Sequence, residues 1–353
     1  MPANAGRTLS ALCFLALAAA ARADHPSHAS GCGSGPIHAP SASTLEEGHY
    51  SLTLGMEYVD VDRFSDDRLL SLARRGNHHV HSTDYLLAPH AGFSYGVLDD
   101  LTLSLHLPYV FRDDIREAEE VHAEAAPAHH HEEGEEDEQA EEAEEVFRVL
   151  SLGDSAGIGD LLLRAQYRFV DFDDWDLEIA AIVGLKMPTG RTDDRLHGGT
   201  RFEAESQPGS GSWDPQAGLA VTKRFADVAV DLSGIYTIAN EGTQGAELGD
   251  HVEFNLAASY RFGFGEPDHH GKRFWSVDLI AELNGEWSDK DKKRGNRDSN
   301  SGGTALFASP GVRFNVSEHW SVFASAGVPF VQELNGHHPE LDVRLEFGVS
   351  LHF

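Results

Sequence analysis

Between residues 129 and 145 the chain reads His129-His130-His131-Glu132-Glu133-Gly134-Glu135-Glu136-Asp137-Glu138, then Glu141, Glu142, Glu144 and Glu145. Imidazole nitrogens and carboxylate oxygens are ligands for zinc, nickel and copper, and a tract of this composition binds such ions weakly and in several geometries. His78, His79 and His81, then His197, then His337 and His338 fall in segments expected on the same side of the molecule, while His25, His28, Cys32 and His38 gather near the N-terminus. The candidate metal ligands are therefore His129, His130, His131, Glu132, Glu133, His78, His79 and His81, with zinc, nickel or copper held weakly and no cofactor required. No His-Glu-x-x-His spacing occurs, so the residues do not spell a preformed catalytic metal centre. The plain alternative is a solvated, self-repelling acidic loop. Acyl-transfer chemistry is not indicated: there is no Gly-x-Ser-x-Gly elbow, His197-Gly198-Gly199 is a weak oxyanion-like string, and Ser233 and Ser276 are assigned structural roles.

The elements that would position these groups begin after an address. Arg7 supplies a positive start, Ser10 to Ala20 is an apolar run, and Ala21-Arg22-Ala23 is a small-x-small cleavage pattern, so residues 1–23 read as a signal peptide cut after Ala23. The run is too short to span a bilayer as a helix, and no later window offers roughly 20 apolar residues. With Cys13 in the signal, Cys32 stands alone and forms no intrachain disulfide. The formal charge of −31 argues against nucleic-acid partners and favours cations. Residues 24–48 are His, Ser, Gly, Pro and Ala with almost no large apolar side chain, and read as a flexible His-rich periplasmic tail.

From residue 49 the pattern turns to period two. Leu101, Leu103, Leu105, Leu107, Tyr109 and Phe111 alternate with Thr102, Ser104, His106 and Arg112, and Leu341 to Phe353 alternates in the same way with Asp342, Arg344, Glu346 and their neighbours. Each segment is about ten residues long, the length of a tilted strand crossing a membrane. Twelve are expected, near 49–62, 83–95, 100–112, 157–169, 175–187, 214–224, 227–238, 251–262, 274–287, 304–314, 319–330 and 341–353. Tight connections alternate with long ones, including a 113–156 loop that carries the acidic His-rich tract. Short periplasmic turns, long extracellular loops and aromatic residues at strand ends (Tyr50, Tyr109, Phe169, Trp275, Trp320, Phe330) define the expected fold: an all-β transmembrane antiparallel barrel of about twelve strands over residues 49–353, in the bacterial outer membrane. A soluble β-sandwich or lipocalin-like barrel also alternates, but it would have to spread the charges of the polar face evenly over its exterior.

Two stretches carry a family resemblance. GIGDLLLRAQYRF (Gly157 to Phe169), and GLKMPTGR (Gly184 to Arg191) followed by QPGSGSWDPQAGLAVTKRF (Gln207 to Phe225), resemble the outer-membrane family labelled "putative MetA-pathway of phenol degradation" over most of Tyr50 to Phe353. The resemblance implies an outer-membrane barrel that passes small molecules. The acidic His-rich insert departs from the family's lean loops. Read physically, Gly157, Gly159 and Gly184 suit strand entries and bends, and Pro188-Thr189-Gly190 ends a strand at the rim.

Inward faces are expected to carry Arg164, Arg168, Asp176, Glu178, Lys186, Asp231, Glu253, Arg261, Asp278, Glu282, Glu286, Asp342, Arg344 and Glu346. They form either a wet, cation-favouring lumen or ion pairs plugging a narrow barrel. The expected partners are outer-membrane lipid, small solutes, and the barrel-assembly machinery through the C-terminal strand ending in Phe353. The leading function is an outer-membrane channel or transporter for small solutes. A surface divalent-metal-binding barrel linked to metal uptake or resistance comes second, and an outer-membrane enzyme a distant third.

Overall fold

A strand with apolar residues on one face and polar ones on the other is stable where those faces meet different media. The computed structural model of the chain describes residues 36–77, 80–121, 146–196, 198–267, 273–317 and 319–353. Its long strands are β1 (Tyr50–Asp62), β2 (Tyr85–Leu98), β3 (Leu101–Val121), β4 (Val146–Ile158), β5 (Leu161–Phe172), β6 (Leu177–Met187), β7 (Asp214–Phe225), β8 (Val228–Thr237), β9 (His251–Pro267), β10 (Arg273–Ser288), β11 (Gly303–Asn315), β12 (Trp320–Leu334) and β13 (Glu340–His352). Neighbours pair antiparallel around the sheet. The first strand meets the last, from Ser51↔His352 to Asp62↔Glu340. β4 and β5 are consecutive pieces of one position, both paired to β3 and separated by Gly159 and Asp160. The segments thus fill twelve places of a closed barrel, as the alternation predicts. Closure removes the unpaired edge that hydrocarbon does not tolerate.

The faces are reversed relative to a water-soluble protein. Leu103, Leu105 and Leu107 on β3, Leu219 on β7 and Leu279 and Leu283 on β10 are exposed, while Thr102, Gln166, Ser233, Asn255, Asn284 and Ser350 are buried. Phe172, Trp175, Phe225, Trp275, Trp320 and Phe353 stand outward near the short turns, and Tyr109, Trp213, Tyr236 and Phe330 stand outward nearer the long loops. These are the two aromatic girdles of a membrane barrel. Among the described residues no helix is long and apolar enough to cross a membrane.

Three features depart from the sequence reading. First, the 113–156 segment is not a loop throughout: β3 runs for 21 residues, and Glu117 to Val121 pair with Leu150 back to Val146 on β4. A tilted strand needs only about 9–11 residues to cross, so the β3–β4 ribbon projects beyond the bilayer, where its outer face has no need to be apolar. Helix α1 (Asp66–Ala73), which the sequence reading leaves as loop, packs there. Ser65 Oγ accepts from the Arg68 amide and Asp66 and Asp67 occupy the first turn. Leu69, Leu72 and Ala73 are buried against Val80, Ala118 and Phe147.

Second, a register shift between Asp60 and Val61 inserts an extra residue into β13. Leu341 is therefore buried inward and Asp342 exposed, the reverse of simple alternation. Asp176 likewise leaves the inner face: it caps the 173–175 turn in the left-handed region with φ 47°. Third, the expected flexible tail is ordered from residue 36. Residues 36–42 are buried inside the barrel, because the lumen offers their backbone the hydrogen bonds that water would otherwise supply. Residues 24–35 and the signal lie outside the described residues.

Candidate functional site in the lumen

Small residues allow a chain to lie inside a twelve-stranded barrel, and Pro36 to Thr44 (PIHAPSAST) contains little else beyond Ile37 and His38. A strap in that position must satisfy its backbone from the wall. The Glu282 carboxylate on β10 accepts from the amides of Ile37 at 2.5 Å, His38 at 3.1 Å and Ala39 at 3.3 Å. Ala42 N–H donates to Thr222 Oγ at 2.8 Å. Gln166 Nε2 donates to the carbonyls of Ser41 and Ser43 at 3.0 and 2.7 Å, and Arg313 donates to that of Pro36 at 3.2 Å. Ile37 adds an apolar anchor against Ile280 and Phe323. Nearer the short-turn end, Thr44 Oγ bonds the Asp99 carbonyl and the Leu45 amide bonds Thr102.

The wall beneath the strap is itself cross-linked. Arg168 and Arg224 each reach Glu178 at 2.9 Å, and Ser43 Oγ donates to the same carboxylate at 3.0 Å. Thr222 donates to Asp231 at 2.6 Å. Arg261 grips Asp278 through two contacts of 2.7 Å near the short-turn rim.

Above the strap the lumen changes character. Lys186 pairs with Asp214 at 2.5 Å and Arg164 donates to Gln216 at 3.2 Å. Arg344 bonds Glu286, lies 3.9 Å from Glu57, and stacks over Phe307 at 4.1 Å. His90 crosses the bare backbone of Gly55, where a Cβ would stand 2.3 Å from its Nε2, to reach Glu346 at 3.4 Å. Its ring lies 5.0 Å from that of His106. An apolar wall of Val59, Val61, Leu86, Val110, Phe307 and Leu341 faces inward on one side. About 1120 Å³ of space, counting the part open to solvent, lies among His38, Lys186, Glu253, Asn284, Glu286 and Arg344.

Of the fourteen residues expected on inward faces, Arg164, Arg168, Glu178, Lys186, Asp231, Glu253, Arg261, Asp278, Glu282, Glu286, Arg344 and Glu346 stand on the inner face or its rim, and Asp176 and Asp342 do not. The sequence reading placed His106 on the polar face of its strand without naming it as a lumen group, and it missed Glu57, His90 and Arg313, although each follows from alternation along its own strand. It missed the strap altogether, whose one signal is the run of small residues before β1.

The family motifs form a clasp at the wall. Asp160, between β4 and β5, accepts from Gly190 N–H at 2.9 Å, Ser210 N–H at 2.8 Å and Ser210 Oγ at 2.7 Å. Gly190 and Gly209 pack backbone to backbone: a Cβ on either would lie 2.7 or 2.6 Å from the other's Cα. The 188–213 loop is thereby folded against the wall, which is why the motifs pair glycine with aspartate at this spacing.

Of the metal-ligand candidates, His129, His130, His131, Glu132, Glu133, His78 and His79 lie outside the described residues, as does His197. His81 is described, and stands on the extracellular side with Nε2 3.4 Å from Glu117 on the projecting ribbon. Its ligand atom and those of Glu203 and Glu205 all lie within 4.8 Å of one another. Lys293 Nζ contacts Glu203 at 2.7 Å and Glu205 at 3.1 Å. Burial opposes charge on His81, but Glu117, with Glu203 and Glu205 behind it, holds its pKa above the ordinary histidine value. Burial would raise the Glu203 carboxyl, yet its hydrogen bonds with Glu205 and Lys293 keep it below the usual range.

A closed antiparallel barrel with a lipid-facing apolar exterior, two aromatic girdles and a polar interior defines a bacterial outer-membrane protein. The family model described as "Putative MetA-pathway of phenol degradation" matches residues 134–333, more than half of the chain, and the protein belongs to that family. No curated protein matches the sequence. Among solved structures, an outer membrane channel from Pseudomonas putida F1 superimposes with a TM-score of 0.54 at 17% identity, covering 90% of this chain and 100% of that one. The NanC porin gives 0.43 at 8% identity over 85% and 98%, and the CymD monoaromatic hydrocarbon channel 0.40 at 12% over 88% and 89%. The first supports the fold; the other two are too remote to add to it.

Proposed function

We propose that the protein is an outer-membrane channel for small solutes in which the 36–44 strap limits traffic. The observation that carries this reading is the strap itself. It lies in the lumen toward the short turns, where Ile37 and Ala42 pack against apolar residues of the wall and its other anchors are hydrogen bonds that water can replace. Above it lies a cavity lined by charged residues, and an apolar wall stands on one side of the lumen. An interior dedicated to rigidity would be filled by its own side chains, as in narrower barrels.

The test is conductance in planar bilayers and solute-driven swelling of liposomes, comparing the mature chain with a version lacking residues 24–44. Shortening should raise conductance several-fold. Absence of ion or solute flux in both proteins would overturn the channel reading.

Export through a signal cut after Ala23 and insertion by the barrel-assembly machinery complete the proposal. In support of the latter, the final strand is amphipathic, and Phe353 stacks on Tyr50 at 5.2 Å across the closing seam. We assign no catalytic step. Ser233 accepts from Asn255 and Ser276 from Asn315, which supports their structural roles.

A further inference from the structure

We propose that His81, Glu203 and Glu205, with Glu117 beside them, form a divalent-cation site that ties the extracellular segments together over the barrel mouth. The inference needs the barrel but not its channel activity. The ligands come from separate parts of the chain: His81 follows α1, Glu117 lies on the projecting β3, and Glu203 and Glu205 lie in the 188–213 loop. Two segments far apart in sequence bring a nitrogen and two carboxylates within 4.8 Å of one another, and a third, β3, sets the Glu117 carboxylate 3.4 Å from the same nitrogen.

Further observations point to a cation there. Glu203 and Glu205 already hold one, the Lys293 ammonium, at 2.7 and 3.1 Å. Three carboxylates, Glu117, Glu203 and Glu205, thus gather around His81 and this one ammonium. Glu205 Oε2 is shielded from solvent without a hydrogen-bond partner, leaving a carboxylate oxygen for a metal. A vestibule of about 1010 Å³, counting the part open to solvent, reaches both His81 and Glu205 and also bears Asp291, Asp298, His337 and His338. It gives a hydrated ion an access path.

Mixed nitrogen and oxygen donors select zinc, nickel or copper over magnesium or calcium. Zinc bonds to such ligands at about 2.0–2.2 Å, so donor atoms up to 4.8 Å apart must draw together as the ion enters. Lys293 must swing out at the same time. Binding would then tighten α1, the ribbon and the 188–213 loop against one another and release the 289–302 loop that carries Lys293.

The experiment is calorimetric titration of Zn²⁺ and Ni²⁺ into the refolded barrel lacking residues 122–145, which removes the His- and Glu-rich tract as a competing sink. Val121 and Val146 are cross-strand partners, so a short turn can close the gap. One equivalent of metal should bind, and His81→Ala and Glu205→Gln should each weaken it by roughly tenfold or more. Lys293→Gln should tighten it, since the competing ammonium is gone. A purely structural ion-pair cluster predicts no such gain. Absence of binding in the shortened barrel, or titrations unchanged by His81→Ala, would overturn the site. Heat-modifiable mobility on gels confirms that each variant is a folded barrel. A barrel that passes no solute yet binds metal through His81 would sink the channel reading and leave this one standing.

Discussion

At the scale of single residues, the strap depends on Glu282 more than on any other side chain. Its carboxylate serves three consecutive amides, and a buried donor left without an acceptor costs about 1–3 kcal/mol. Glu282→Ala should therefore free the strap: amide exchange at Ile37, His38 and Ala39 should accelerate by roughly 100-fold or more, since several kcal/mol of protection is lost. Unchanged exchange would show that Ile37 and the remaining bonds suffice. Gly209 acts through what it lacks. A methyl there meets the Gly190 backbone at 2.6 Å and Asp160 Oδ1 at 2.9 Å, and that carboxylate is itself fixed by Gly190 and Ser210. Gly209→Ala should cost about 1–3 kcal/mol or undock the 188–213 loop, seen as a lower melting temperature or as new protease cleavage within that loop.

At the scale of elements, the extracellular cap and the barrel are separate bodies of packing. Leu69 and Leu72 bury themselves against the ribbon in a cluster distinct from the apolar wall within the lumen. Leu72→Ala removes a side chain that is 1% exposed, a change that costs about 2–5 kcal/mol in well-packed sites. The expected result is faster proteolysis around α1, with strand content and heat-modifiable mobility of the barrel unaltered. Loss of the barrel itself would mean that cap and wall fold as one unit. The helix escaped the sequence reading because it is eight residues long; so short a helix is not stable alone and forms only where a surface covers its apolar side. The ribbon escaped for a related reason. Its charged stretch, Asp113 to Glu120, lacks the apolar outer face by which membrane strands are recognised.

For the whole molecule, the lumen is rich in carboxylates: Glu282 serves the strap, Asp231 bonds Thr222, and Glu57, Glu286 and Glu346 stand around Arg344. Once the strap is removed, the open pore should prefer cations, because acids lining a confined path raise the local cation concentration. A reversal potential measured across a salt gradient checks this. Glu253→Gln, which removes one charge from the cavity above the strap, should reduce the preference. Anion selectivity in the strapless barrel would contradict the reading of the lumen.

The sequence by itself determined the number of strands, their faces and the alternation of short and long connections. These are local properties: a period of two and a length matched to membrane thickness can be read within each segment. It also placed Glu282, Arg344 and Glu346 inside, because alternation decides the side of the sheet. Only the tertiary structure decided what fills the lumen, since Ile37 and Glu282 are 245 positions apart and nothing in a run of small polar residues tells a free tail from a bound one. Tertiary structure likewise decided the bulge that turned Asp342 outward, which depends on how the last strand meets the first. It also gave His81 its neighbours, Glu203 and Glu205, where the sequence had pointed to the histidines nearby. Contacts between distant segments are fixed by closure of the barrel and by the packing of its loops, and no local pattern encodes them.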